Sequence, residues 1–172
     1  MALVTFMTPE KAKTILDFLL PTLQSEVKTT AKVIAATPAG HEDYKPSDRC
    51  MSALTLAWHT ASADVWFLNS LIDGKFEPSG GGMPEAIKTV SDVSAWYDAN
   101  IGPAVARVAA ASPEQLAAPV SFFGVMEWPA IGYVNFSMLH TAHHRGQLSS
   151  YLRPMGGKVP SIYGGSADEP MK

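Results

Sequence analysis

The sequence predicts an all-α fold, a four-helix bundle with a long crossover connection. Four stretches of about 22 to 30 residues repeat their apolar residues at the three- and four-residue spacing of a helix face. Caps, prolines or glycines bound each stretch. No segment reads convincingly as a strand, and no short repeat divides the chain. The 172 residues, 47% hydrophobic and 17% charged, are expected to form one packed domain spanning 1–172.

The first helix opens at Thr8-Pro9-Glu10, where Thr8 caps, Pro9 suits the first helical position and Glu10 complements the dipole. Ile15, Leu16, Leu19, Leu20, Leu23, Val27, Ala31 and Ile34 keep the period, with a kink expected at Pro21 and a stop at Thr37-Pro38-Ala39-Gly40. A polar loop runs from His41 to Pro46. Ser47 or Asp48 is expected to cap a second helix from about Arg49 to Asp73, with Leu54, Ala57, Trp58, Ala61, Val65, Leu68 and Ile72 inward. Lys75 to Pro84, containing Gly80-Gly81-Gly82, reads as a long crossover or surface loop.

The third helix spans about Thr89 to Ala111, with a kink expected at Gly102-Pro103. Ser112 and Gln115 stand at capping-box spacing before a short extra turn. Pro119 to Met126 is the one plausible extended stretch, too short and isolated to argue for a sheet. The fourth long helix runs from about Pro129 to Leu152, ended by Arg153-Pro154 and Gly156-Gly157. The tail from Lys158 to Lys172 is expected to lie along the surface.

Charge excludes one class of function. Thirteen Lys+Arg are scattered against 16 Asp+Glu, for a net charge of -3, so no basic surface for nucleic acid is expected. No apolar run reaches the roughly 18 residues that span a bilayer, so no membrane partner is expected. The apolar start, Met1 to Met7, has no basic region and does not read as a signal peptide. The single cysteine, Cys50, allows no internal disulfide and suits a reducing, cytoplasmic location. With no His or Asp motif beside it, Cys50 reads as a small buried hydrophobe and not as a nucleophile.

The chemistry lies in the histidines. His140-Thr141-Ala142-His143-His144 falls inside the fourth helix. Residues four apart share a helix face, so His140 and His144 can present imidazoles to one ion. Neutral imidazole suits zinc, nickel, iron and copper. A catalytic zinc usually takes three protein ligands, and the third should come from another helix. His59, in the middle of the second helix, is the best candidate. Alone it would read as a core histidine bonded to a carbonyl; beside His-x-x-x-His it reads as a ligand. His143 points about 100° away from His144, at the rim of the site, although a His140/His143 pair is geometrically feasible. His41 is expected to be solvated. Gly146 costs roughly 1 kcal/mol in mid-helix relative to alanine, which suggests close packing near the metal or a tolerated surface glycine. Arg145 and Gln147 flank the site as solvated or capping side chains, or with a catalytic role.

The run His140-Thr141-Ala142-His143-His144-Arg145-Gly146-Gln147-Leu148 resembles the signature of the DinB/YfiT-like superfamily. Tyr44-Lys45-Pro46, the segment from Ser52 to His59, Val65-Trp66-Phe67-Leu68 and Leu152-Arg153-Pro154-Met155-Gly156 resemble further parts of it, in order over essentially the whole chain. The resemblance implies a four-helix bundle with a crossover, often dimeric, and a three-His site for zinc or nickel. By position those metal ligands would be His59, His140 and His144. It also implies chemistry of the kind seen in transferases and isomerases that use a low-molecular-weight thiol.

Two readings of function follow. In the first, the chain is a metal-dependent enzyme whose ion, held by three imidazoles, activates a thiol for S-transfer or water for hydrolysis of a small molecule. His143 and Asp64 are its candidate general bases. In the second, it is a non-catalytic metal- or ligand-binding bundle with a part in stress response. Trp58, Trp66, Trp96, Tyr97 and Phe136 could line a ligand pocket, or simply build the core.

Overall fold

The structure, a computed structural model, describes residues 7–78 and 82–171. The apolar start up to Phe6 and part of the glycine loop, residues 79–81, lie outside the described residues. Helix α1 covers Pro9–Ala35, and Thr8 Oγ1 accepts the Lys11 amide at 3.3 Å to cap it. It runs through Pro21 as one element. Helix α2 is Ala53–Asp73, four residues shorter at its start than the apolar period suggests. Ser52, and neither Ser47 nor Asp48, is the cap, with its hydroxyl accepting the Thr55 amide at 3.2 Å. The preceding residues are held in turns instead: the Cys50 amide donates to Ser47 O at 3.0 Å and the Ala53 amide to Tyr44 O at 2.9 Å. Gly74, at φ 71°, ends α2 in the left-handed region that glycine enters without strain.

Helix α3 is Val90–Ala109, opened by a reciprocal capping box between Thr89 and Asp92. Helix α4 is the short turn Pro113–Ala117, with the expected box between Ser112 and Gln115. The chain then forms an antiparallel hairpin, β1 Pro119–Phe122 and β2 Met126–Pro129, with Phe122 opposite Met126. The extended stretch thus does find a partner, in Met126–Pro129 just ahead of the last long helix. With only this two-stranded ribbon beside the helices among the described residues, the fold remains all-α. Helix α5, Ala130–Leu152, is the fourth long helix.

Helices α1 and α2 each pack between α3 and α5, so α1 and α2 stand on one diagonal of the bundle and α3 and α5 on the other. The crossings of the bundle therefore fall between α1 and α2 and between α3 and α5. The Lys75–Pro84 segment, read from sequence as a long crossover or surface loop, joins the neighbours α2 and α3 and so does not cross the bundle. Leu16, Leu23 and Ile34 of α1, Leu56, Phe67 and Leu68 of α2, Val93, Tyr97 and Val108 of α3 and Val134, Leu148 and Leu152 of α5 belong to one buried core. Of the inward set expected on α2, Leu54, Trp58 and Ile72 are half-buried, while Leu56, Phe67 and Leu71 are buried. A helix packed on two neighbours buries a wider arc than a single stripe.

Two buried polar knots fix the helices relative to one another. Asp64 on α2 accepts from Tyr97 Oη on α3 at 2.6 Å and from Ser137 Oγ on α5 at 3.2 Å. Arg145 on α5, 1% exposed, donates to Glu26 Oε2 at 2.6 Å and to Thr30 Oγ1 at 3.1 Å on α1. Its guanidinium also donates to Tyr163 Oη and lies 5.2 Å from that ring's centroid, which fastens the C-terminal tail to the bundle. Replacing Glu26 by Ala leaves Arg145 buried without its carboxylate and should cost about 3 kcal/mol of stability. Glu26→Gln, which keeps an acceptor, should cost distinctly less; urea unfolding of both variants measures the difference.

Candidate metal centre

Three imidazoles converge where α2 and α5 pack. His59 comes from the middle of α2; His140 and His144 sit one turn apart on α5. A nitrogen from each of the three lies within 4.8 Å of the others. The ring centroids are 5.3 Å apart for His59 and His140, 4.3 Å for His59 and His144, and 4.5 Å for His140 and His144. The His59 and His144 Nε2 atoms are 3.0 Å apart, a contact that needs a shared proton or a cation, because two lone pairs at that distance repel. No carboxylate or cysteine among the described residues joins the group.

Burial keeps these rings neutral. It lowers His59, with the neighbouring His144 adding to the effect. It also lowers His144, against an opposing hydrogen bond with Gln147. His140 is pushed down to about 4 by burial and then by His144, His59 and His143. Neutral imidazole is the ligand form, so the cluster needs no proton release from these rings to take a cation.

The residues fit a divalent ion on two further observations. His140 Nδ1 is buried without a hydrogen-bond partner, an unmet demand on a ring of the cluster. His144 Nδ1 lies 2.9 Å from Gln147 Oε1, a contact in which the ring N–H donates to the amide oxygen and leaves Nε2 as a free lone pair. The i, i+3 spacing of His144 and Gln147 on α5 was the available signal for that support.

The other singled-out residues are placed differently. His143 is exposed at the rim, with its ring centroid 4.9 Å from that of His144. Asp64 is 2% exposed and its two oxygens accept from Tyr97 and Ser137, so it points into the core and does not line a cavity at the histidines. Burial pushes its carboxyl up, against the hydrogen bonds that lower it. This placement takes Asp64 out of reach as a base; the helical period shows a face and not which carboxylate is tied up within it. Arg145 is buried in the contact with α1 and is no solvated flank. Gly146 is exposed, and an added Cβ would meet nothing within 4 Å, so the close-packing explanation for it fails. His41 is exposed as expected.

Two cavities adjoin the histidines. One, of about 410 Å³, borders His59 and His140 and is walled by Trp66, Phe67, Phe122, Phe123 and Phe136. Trp58 and Trp96 instead pair with each other at 4.8 Å, and Tyr97 lies in the core. The sequence offered Trp66 and Phe136 for a pocket; the hairpin residues Phe122 and Phe123 were not legible as wall, because their pairing was not. The second cavity, about 420 Å³, borders His144 and is lined by Arg49, Cys50, Gln147, Ser150 and Tyr151 among others. Cys50 is half-buried there, its thiol lowered chiefly by a hydrogen bond with the Ser47 hydroxyl.

The family model of the DinB family matches residues 11–171. An uncharacterized protein of Bacillus subtilis strain 168, YrdA, is 23% identical over 154 residues, covering 90% of this chain and 91% of its own. Among solved structures, a DinB-like protein from Bacillus subtilis, YjoA, superposes with a TM-score of 0.68 at 23% identity, over 81% of this chain and 93% of that one. A DinB-like protein from Bacillus cereus ATCC 10987 gives a TM-score of 0.73 at 21% identity, over 86% and 97% of the respective chains. These likenesses place the fold.

The depressed histidines make the metal-free protein sensitive to acid. His140 titrates at about 4 when folded and at 6.5 when unfolded, so between those values the unfolded chain binds more protons. Stability is therefore full above pH 6.5 and falls as pH drops toward 4, and His59 and His144 act in the same direction. Thermal melts of chelator-treated protein across that window should show the loss, and His140→Asn should lessen it, with His59 and His144 leaving a remainder.

Proposed function

The chain belongs to the DinB family, and on that premise we propose that it is a metal-dependent enzyme whose His59, His140 and His144 hold one divalent ion for work on a small molecule. The observation that carries this reading is the convergence of three neutral imidazoles, two with Nε2 atoms 3.0 Å apart, without a fourth protein ligand among the described residues. Three protein ligands and one free position is the arrangement of catalytic zinc sites, whereas structural sites are closed by four. An all-imidazole donor set favours zinc or nickel over calcium or magnesium. Once bound, such an ion supplies Lewis acidity that lowers the pKa of water or of a thiol and makes it a nucleophile near neutral pH.

The chain's own residues orient and shield that chemistry. Gln147 fixes the tautomer and tilt of His144. The Asp64–Tyr97–Ser137 knot holds α2 and α5 at the spacing the three rings need. His143, exposed at the rim with its ring centroid 4.9 Å from that of His144, is the proton acceptor this reading proposes. The cleft beside His144, with Arg49, Gln147 and Ser150, offers a low-molecular-weight thiol a cation and hydrogen-bonding groups, which supports S-transfer; hydrolysis needs only water in its place. We read the protein as a cytoplasmic homodimer with no nucleic-acid or membrane partner. Phe18 on α1 and Leu139 on α5 are exposed apolar side chains that a second copy would cover, and no helix among the described residues is long and apolar enough to cross a membrane.

Elemental analysis of untagged protein tests the site. Wild type should carry close to one zinc or nickel ion per chain, and His59→Ala and His144→Ala should each lose it, since two imidazoles make a weak site. Gln147→Ala should keep the ion but bind it about tenfold more weakly. Metal-free wild type after zinc and nickel are supplied would defeat the reading.

A further inference from the structure

The aromatic cavity beside His59 and His140 is built for a particular kind of molecule. Its nearest wall touches the candidate metal centre, with the Phe67 ring centroid 5.2 Å from that of His140. Phe67 and Phe122 lie parallel, 6.0 Å apart with 6° between their planes. Trp66 and Phe123 are likewise near-parallel, at 6.2 Å and 13°. A further flat ring extends offset, near-parallel stacks of this kind more favourably than a non-planar group does. Among the described residues no Lys, Arg, Asp or Glu lines the cavity, and apart from the two histidines the one hydroxyl-bearing side chain on its wall is Ser62. A charged group entering it would lose water and gain no countercharge from the chain. The volume, about 410 Å³, falls within the roughly 300–1,000 Å³ of small-molecule sites.

Phe123 is the unusual wall. It sits in the hairpin turn at φ 52°, the one non-glycine residue in the left-handed region among the described residues. A bulky side chain is rarely held there. It is also 48% exposed, yet its ring is kept over Trp66. The hairpin that carries it packs on the start of α5, so the ring is delivered to the cavity mouth by a short, fixed element.

From these placements we propose that the cavity binds a neutral, flat, aromatic portion of the substrate, and that Phe123 is a specificity-determining cap that stacks on it. The inference rests on the metal-dependent reading for the identity of the reacting end, which would meet the cavity at His59 and His140. The rest of the cavity then selects by shape and lack of charge.

Calorimetric titration of the full chain, metal-free and zinc-supplied, tests this with naphthol, naphthalenesulfonate and cyclohexanol as probes. Naphthol should bind at one saturable site in both forms, about tenfold or more tighter than its sulfonate counterpart or the non-planar alcohol. Ala63→Leu, which adds bulk to the cavity wall, should abolish binding while circular dichroism stays unchanged. Phe123→Ser, at an exposed position, should weaken it roughly threefold to tenfold. Equal binding of naphthol and naphthalenesulfonate, or undiminished binding by a folded Ala63→Leu, would overturn the proposed cavity ligand. Wild-type affinity in Phe123→Ser would overturn the cap. Zinc content is measured on the same samples, which separates the two ideas. Zinc bound without naphthol sinks the aromatic site alone, whereas naphthol bound by protein that takes no zinc supports it and sinks the metal reading.

Discussion

The packing of α2 against α5 is the contact on which the site depends. It places one imidazole from α2 against two from α5, closely enough that two Nε2 atoms stand 3.0 Å apart. Three such rings tolerate one another only if they are neutral or share a cation. Burial supplies the first condition by lowering all three, and for the second no fourth protein ligand stands beside them among the described residues. The same contact opens the aromatic cavity on one side of the histidines and the polar cleft on the other.

That packing is held by polar groups the core would not otherwise tolerate. Asp64 joins α2, α3 and α5 through Tyr97 and Ser137, and burial with the adjacent carboxyl pushes the Tyr97 phenol up. Arg145 follows His144 directly in sequence, and its anchorage to Glu26 and Thr30 draws α5 onto α1. Polar knots of this kind have few satisfactory geometries, so they set helix register more sharply than apolar contact does. Residues adjacent in the His140–Gln147 run therefore divide the work: His140 and His144 face the site, Gln147 steadies a ring, and Arg145 turns inward to hold the bundle.

Much of this was legible in the sequence. The helical period, the Thr8 cap and the Ser112–Gln115 box placed the long helices and the short turn, and the four-residue spacing of His140 and His144 placed two rings on one face. Other features depend on long-range packing that periodicity does not encode. The burial of Asp64 against Tyr97 and Ser137 comes from three helices meeting, and the hairpin from the pairing of Val120 with Trp128, eight residues apart. Which helices are neighbours was likewise hidden, because loop length alone does not say whether a connection crosses the bundle. Gly146 left two readings open for a related reason: its cost to the helix is local, whereas the open space that makes it a tolerated surface glycine is set by what packs nearby.

X-ray absorption at the zinc edge, on protein loaded with one equivalent, tests the central claim most directly. The account predicts three imidazole nitrogens at about 2.0–2.1 Å and one further light ligand from solvent, with an imidazole lost from the spectrum in His59→Asn. A sulfur ligand, a shell with fewer than three imidazoles, or a spectrum unchanged by that substitution would contradict it.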